Sequence, residues 1–145
     1  IAATMGGRAS EKVVFGDIST GALSDLERVT KQATAMVSIY GLNDKIGNIS
    51  FYDSTGQTDY GFNKPYSEET AKIIDEEISK IIETQYQRAQ DLLTNHRTQL
   101  DQLANKLLEK EVIFRDDLVE IFGEREFEDD TNIEPPGNII SQTTS

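Results

Sequence analysis

The sequence has no cysteine, no tryptophan and a single histidine in 145 residues. Without cysteine there is no disulfide framework, no thiolate metal site and no cysteine nucleophile. His96 alone excludes a self-contained histidine-rich zinc site, because catalytic zinc sites draw on two or three histidines. Basic side chains are also scarce, 14 against 26 acidic ones, for a formal charge of -12. That balance argues against broad binding to nucleic acid phosphates or anionic lipid. No apolar run approaches the roughly 20 residues that span a bilayer, and no signal-peptide pattern opens the chain. Ile1-Ala2-Ala3 reads as helix interior. The expectation is therefore a piece of a longer protein, with one domain-sized core plus a tail.

What is present is mostly helical periodicity. A first helix is expected from Ile1 to about Val14, ended by Phe15-Gly16-Asp17. It contains Gly6-Gly7, each of which costs about 1 kcal/mol relative to Ala inside a helix, so a compensating reason is expected, such as close approach of another backbone. A second helix starts near Ser24, where Ser24 and Glu27 have capping-box spacing and Thr20 competes as a cap one turn earlier. Ala22, Leu26, Val29, Ala33, Val37 and Tyr40 form its buried stripe, and Gly41 ends it.

Residues 41 to 66 are irregular. Ile49 to Tyr52 and Tyr60 to Phe62 flank a turn at Asp53-Ser54-Thr55-Gly56, so a short β-hairpin is possible. Ser67 then caps a helix of about 27 residues, roughly 40 Å long. Its stripe is Ala71, Ile74, Ile78, Ile81, Gln85, Ala89 and Leu92, while Glu76-Glu77 fit a solvated face. After a break at Asn95-His96, Leu100, Leu103, Leu107 and Leu108 mark a partner helix, and the two are expected to pair as a hairpin. A last short helix carries Leu118, Ile121 and Phe122 and stops at Gly123. From Glu124 onward six acidic residues face one basic residue, ahead of Pro135-Pro136-Gly137. This reads as a disordered acidic tail. The fold class is thus mainly α, with folded residues 1–123 and tail 124–145.

Few residues promise chemistry. His96 reads first as a solvated or capping side chain, and Asp116-Asp117 as carboxylates favoured in the first turn of a helix. Asp25, in the first turn of the second helix after a Ser-Thr-Gly-Ala loop, has two readings. It is an ordinary dipole-favoured aspartate, or it is a metal ligand held at a rigid helix start. One carboxylate makes no zinc site, so zinc would need two or three further ligands from outside this chain.

Two blocks carry a family resemblance. They are Met5-Gly6-Gly7-Arg8-Ala9-Ser10-Glu11-Lys12-Val13-Val14-Phe15-Gly16 and Ser19-Thr20-Gly21-Ala22-Leu23-Ser24-Asp25-Leu26-Glu27-Arg28-Val29-Thr30. With Met36 to Gly47, Ser67 to Ile78 and Ala89 to Leu93, they resemble the later part of the protease domain of the FtsH family. These are membrane-anchored, ATP-dependent zinc metalloproteases of the AAA class. The resemblance runs from Ile1 to about Phe122. It departs mildly at Ser10, where Ala is usual, and at Asn43, where Ser is usual.

The resemblance implies a helical protease-domain fragment in a homo-hexameric ring beneath an ATPase ring that binds ATP. It implies zinc held by two histidines of a His-Glu-x-x-His helix, whose Glu is the general base, with the aspartate matching Asp25 as third protein ligand. That helix would lie upstream of Ile1, so this chain would be inactive alone. Glu11 matches the Glu that closes the Gly-Gly-Arg block, either as a support of the site or as a helix-surface residue. Substrates would be unfolded or membrane proteins, with no nucleic acid partner. The location would be the bacterial inner membrane, reached through N-terminal segments, with the protease facing the cytoplasm. The alternative is a noncatalytic helical assembly module of a protease-like ring.

Overall fold

The computed structural model describes residues 1–52 and 65–124, and contains five α-helices among them. They are α1 (Gly6–Phe15), α2 (Leu23–Ser38), α3 (Glu68–Asn95), α4 (Arg97–Lys110) and α5 (Arg115–Phe122). A 3-10 turn, Thr20–Ala22, leads into α2. The mainly α class holds. Two units are separable, residues 1–100 and residues from 101 onward.

In the first unit α1 and α2 both pack against α3. The core between them is made of small and branched side chains: Ala9, Val29, Ala33 and Val37 are fully buried, joined by Met5, Ala22, Ala71, Ile74 and Ala89. Alanines at the contacts let helix axes approach closely, so a small core can still be well packed. The α2 stripe is buried where the sequence placed it at Ala22, Val29, Ala33 and Val37, half-buried at Leu26, and exposed at its end. Tyr40 is 65 % exposed, because α2 stops at Ser38 and the chain turns through Gly41 at φ 62°. A residue beyond the last helical turn no longer follows the 3.6-residue period.

The α3 stripe is covered by α1 and α2. Leu92, at its far end, is exposed. Ser67 caps α3 as expected, its hydroxyl accepting from the Thr70 N–H at 3.2 Å.

Other expectations need correction. Residues 1–5 form a turn, with Met5 N–H donating to Ile1 O, and the first helix begins only at Gly6. The glycine pair therefore occupies the first turn, where amides lack intrahelical partners anyway. No atom among the described residues would meet a Cβ at Gly6 or Gly7, so the close backbone approach is not realised within them. Neither Ser24 nor Thr20 caps α2. Ser19 caps the 3-10 turn instead, accepting from Gly21 N–H at 3.2 Å. Residues 49–52 are not a strand. The turn and return arm of the expected β-hairpin lie outside the described residues, as does the tail from residue 125.

The second unit is built differently. α4 and α5 bury no apolar side chain among the described residues; their one buried residue is Asp117.

Candidate functional site

Asp25 stands in the first turn of α2. The side chain is half-buried. Among the described residues its carboxylate has no hydrogen-bond or ion-pair partner. The helix start favours its negative charge.

The approach to Asp25 is fixed by Glu11 on α1. One Glu11 oxygen, Oε2, accepts the Ser19 backbone N–H at 2.8 Å. The other, Oε1, accepts the Ser19 hydroxyl at 2.8 Å. The hydroxyl in turn accepts the Gly21 N–H. Ser19 is thus gripped at two atoms, and the turn that launches α2 is tied to α1. The Ser19 backbone N–H, then its hydroxyl, hold the Glu11 carboxyl below the usual range. Both oxygens of Glu11 are engaged by Ser19, in bonds at the surface of α1. Bonds to the charged form strengthen the brace.

The remaining candidates resolve plainly. His96 is the exposed C-cap of α3, its N–H donating to Leu92 O at 3.1 Å. Asp117 reaches back to the Phe114 N–H at 3.0 Å, one half of a capping box. It also meets Lys110 at 2.6 Å and Lys106 at 3.2 Å. Its carboxyl is pushed far down, first by Lys110, then by the Phe114 N–H. Glu77 is not on a solvated face. It is 5 % exposed, paired with Lys45 at 2.6 Å and accepting from the Asn43 side-chain amide at 2.8 Å. Asn43 Oδ1 also accepts the backbone N–H groups of Lys45 and Ile46. One amide therefore both shapes the 43–46 turn and fastens it to α3.

Periodicity could not have found Ser19 or the Asn43–Glu77 link, since their partners lie 8 and 34 residues away. The only local signals were an Asn-Asp pair after Gly41 and the Ser-Thr-Gly run.

No group of three His, Asp or Glu side chains with metal-binding proximity exists among the described residues. They do not by themselves fit a zinc ion. What they offer is one unpaired carboxylate on a braced helix start, a single donor for a site completed by other residues. Among the described residues no helix is long and apolar enough to cross a membrane.

Comparison with known proteins bears on the chain as a whole. Residues 1–121 match peptidase family M41. The chain is 58 % identical over 123 residues to an ATP-dependent zinc metalloprotease FtsH of Parabacteroides distasonis, covering 85 % of this chain and 18 % of that protein. It is 51 % identical over 129 residues to the FtsH of Rhodothermus marinus, covering 86 % and 18 %. It is 44 % identical over 131 residues to a mitochondrial inner membrane m-AAA protease component of Mus musculus, covering 90 % and 16 %. The chain spans less than a fifth of the length of these relatives. With the match running from the first residue through α5, the chain belongs to peptidase family M41.

Proposed function

We propose that this chain is the C-terminal part of the protease domain of an ATP-dependent zinc metalloendopeptidase, and that Asp25 is one of its zinc ligands. Residues 1–123 form that part of the domain and residues 124–145 an acidic tail. The observation that carries the reading is the Asp25 carboxylate, half-buried, unpaired and presented at a helix start that Glu11 braces through Ser19. The remaining zinc ligands and the general base come from a His-Glu-x-x-His helix outside this chain, and ATP binds in a separate ATPase module. When bound, zinc lowers the pKa of a coordinated water and polarises a peptide carbonyl. The part played by this chain is to hold and orient one ligand: Asp25 binds, and Glu11 and Ser19 fix its approach. The whole protein works as a homo-hexamer on unfolded or membrane proteins, anchored in a bacterial inner membrane with the protease facing the cytoplasm.

The test uses the full-length protein. Asp25→Ala should abolish zinc retention and proteolysis together while the ATPase persists. Glu11→Gln should weaken zinc affinity by roughly 10–100-fold, the range for residues that orient a ligand without touching the metal. Unchanged zinc content in Asp25→Ala would refute the ligand assignment. If the protein instead carries no intact His-Glu-x-x-His, the noncatalytic assembly module replaces the protease reading.

A further inference from the structure

Arg97 occupies the first position of α4, within the first unit, and α4 has no acidic residue in its first turn. A cation at a helix start opposes the positive end of the macrodipole, so the start of α4 by itself gives no reason for an arginine. A reason lies 84 residues earlier. Arg97 is half-buried, and its Nη1 donates to the Val13 carbonyl at 3.0 Å. α1 ends at Phe15, so Val13 is among its last residues, whose carbonyls find no intrahelical N–H. A cation held against such a carbonyl satisfies it and complements the negative end of the helix. What is unfavourable for α4 is thus favourable for α1.

That end of α1 is where the chain turns toward Asp25. Gly16 stops the helix at φ 78°, its N–H donating to Lys12 O, and Lys12 Nζ donates to Gly16 O at 2.6 Å. Glu11 then holds Ser19 at its N–H and hydroxyl, and that hydroxyl accepts the Gly21 N–H just ahead of α2. α1 also packs on α3 through small side chains such as Ala9. Apolar packing is non-directional, whereas a hydrogen bond at the helix end fixes a direction. We infer that Arg97 is a positioning residue for Asp25. By tying the end of α1 to the α3–α4 junction, it fixes the platform from which Glu11 holds the turn that presents the carboxylate. The inference rests on the reading of Asp25 as a zinc ligand. Zinc–carboxylate bonds span only about 2.0–2.2 Å, so a small shift of the α2 start is felt as lost affinity.

The test follows hydrogen exchange of the zinc-free full-length protein, and its zinc affinity by competition with a chromogenic chelator. Arg97→Met keeps most of the side-chain stem but loses the charge and the donors. It should speed exchange at least about threefold in peptides covering residues 17–25. It should weaken zinc binding about three- to tenfold, less than Glu11→Gln, which acts one step nearer the ligand. Arg97→Lys retains a cationic donor and should recover most of the affinity. In a Glu11→Gln background the loss caused by Arg97→Met should shrink below about twofold, because the connection to Ser19 is already broken. Asn43→Ser is the stability control: it loosens the clasp on Glu77 beyond the far end of α2 and should leave zinc affinity unchanged. Three results overturn the inference: an equal loss in both Glu11 backgrounds, Arg97→Lys no better than Arg97→Met, or Asn43→Ser weakening zinc binding as much as Arg97→Met. Each reduces Arg97 to a structural contact. Unchanged zinc content in Asp25→Ala refutes the metal reading, and the positioning role with it. Loss of zinc in Asp25→Ala beside parental affinity in Arg97→Met refutes the positioning role alone.

Discussion

Residues 1–100 and the α4–α5 unit are helical for different reasons. The first unit buries Ala, Val and Ile side chains where two helices cross a third, and its polar clasps decorate that core. Among the described residues the second fully buries only a carboxylate, with Leu103, Ile113, Val119 and Ile121 half-buried beside its polar clasp. The difference teaches that a leucine-rich helical period is no guarantee of a core. Leu107 and Leu108 follow a helical pattern as well as Val29 and Val37 do, yet only the valines are buried. Apolar period shows that a face exists; it does not say what covers it.

The comparison is broken most severely from the side of the core. Val29→Asp places an unpaired charge at a fully buried position and should cost more than about 4 kcal/mol, enough to unfold the first unit. Far-ultraviolet circular dichroism would report it as a loss of most helix signal. Ile74→Ala should cost about 2–4 kcal/mol by cavity formation, read as a lower urea midpoint. Asp117→Asn attacks the other unit. It removes the charge that holds Lys106 and Lys110 and weakens the cap on Phe114. Amide exchange should accelerate severalfold across α4 and α5 and stay unchanged in α2 and α3. Uniform acceleration throughout the chain would show that the two units do not differ in kind.

Much of the fold was legible, for physical reasons that also explain what was not. Ser67 and the α3 stripe were readable because a cap and a helical period are local, encoded within a few residues. Asp25 was placed correctly at a helix start, and Glu11 was named as a support or a surface residue, but its partner Ser19 was not foreseen. Glu11 and Ser19 meet only because α1 ends at Gly16 with φ 78°, turning the chain back on itself. Glu77 was misread as solvated because its sequence neighbours, Glu76 and Lys80, are exposed. Its burial depends on a turn more than 30 residues earlier. Position alone left Asp25 between a dipole-favoured aspartate and a metal ligand; the family resemblance favoured the second reading.

Acid titration sharpens the comparison without mutation. Lys45, then Asn43, depress the Glu77 carboxyl, as Ser19 depresses Glu11. A carboxyl whose folded pKa is lowered binds fewer protons in the native state. Its contribution is present above the unfolded value near pH 4 and is lost as pH falls through the folded one. Stability should therefore be flat from neutral pH to about 5 and decline below about 4. Asp117 is depressed furthest of these groups, so its clasp should outlast that of Glu77. Carboxyl carbon chemical shifts followed from pH 6 downward would give the order, Glu11 and Glu77 titrating before Asp117. Asp117 titrating first would reverse the picture of a clasp that carries its unit.

The smallest effect is the most discriminating. Ser38 is fully buried at the end of α2, and its hydroxyl has no partner among the described residues. Its backbone carbonyl is engaged by the Phe51 N–H at 2.9 Å. A buried hydroxyl without a bond has lost its water and gained nothing in exchange. Ser38→Ala removes that unmet group and leaves the carbonyl in place, so stability should stay within about 0.5 kcal/mol of the parent or rise slightly. The matching change at Asn43, to Ser, keeps a side-chain acceptor for the 43–46 turn but is too short to reach Glu77. It should cost about 1 kcal/mol. Both are measured by urea denaturation under the same conditions. If Ser38→Ala cost as much as Asn43→Ser, polar groups in the core would matter as much as those in the clasps. The division between an apolar unit and a charge-held unit would then lose its basis.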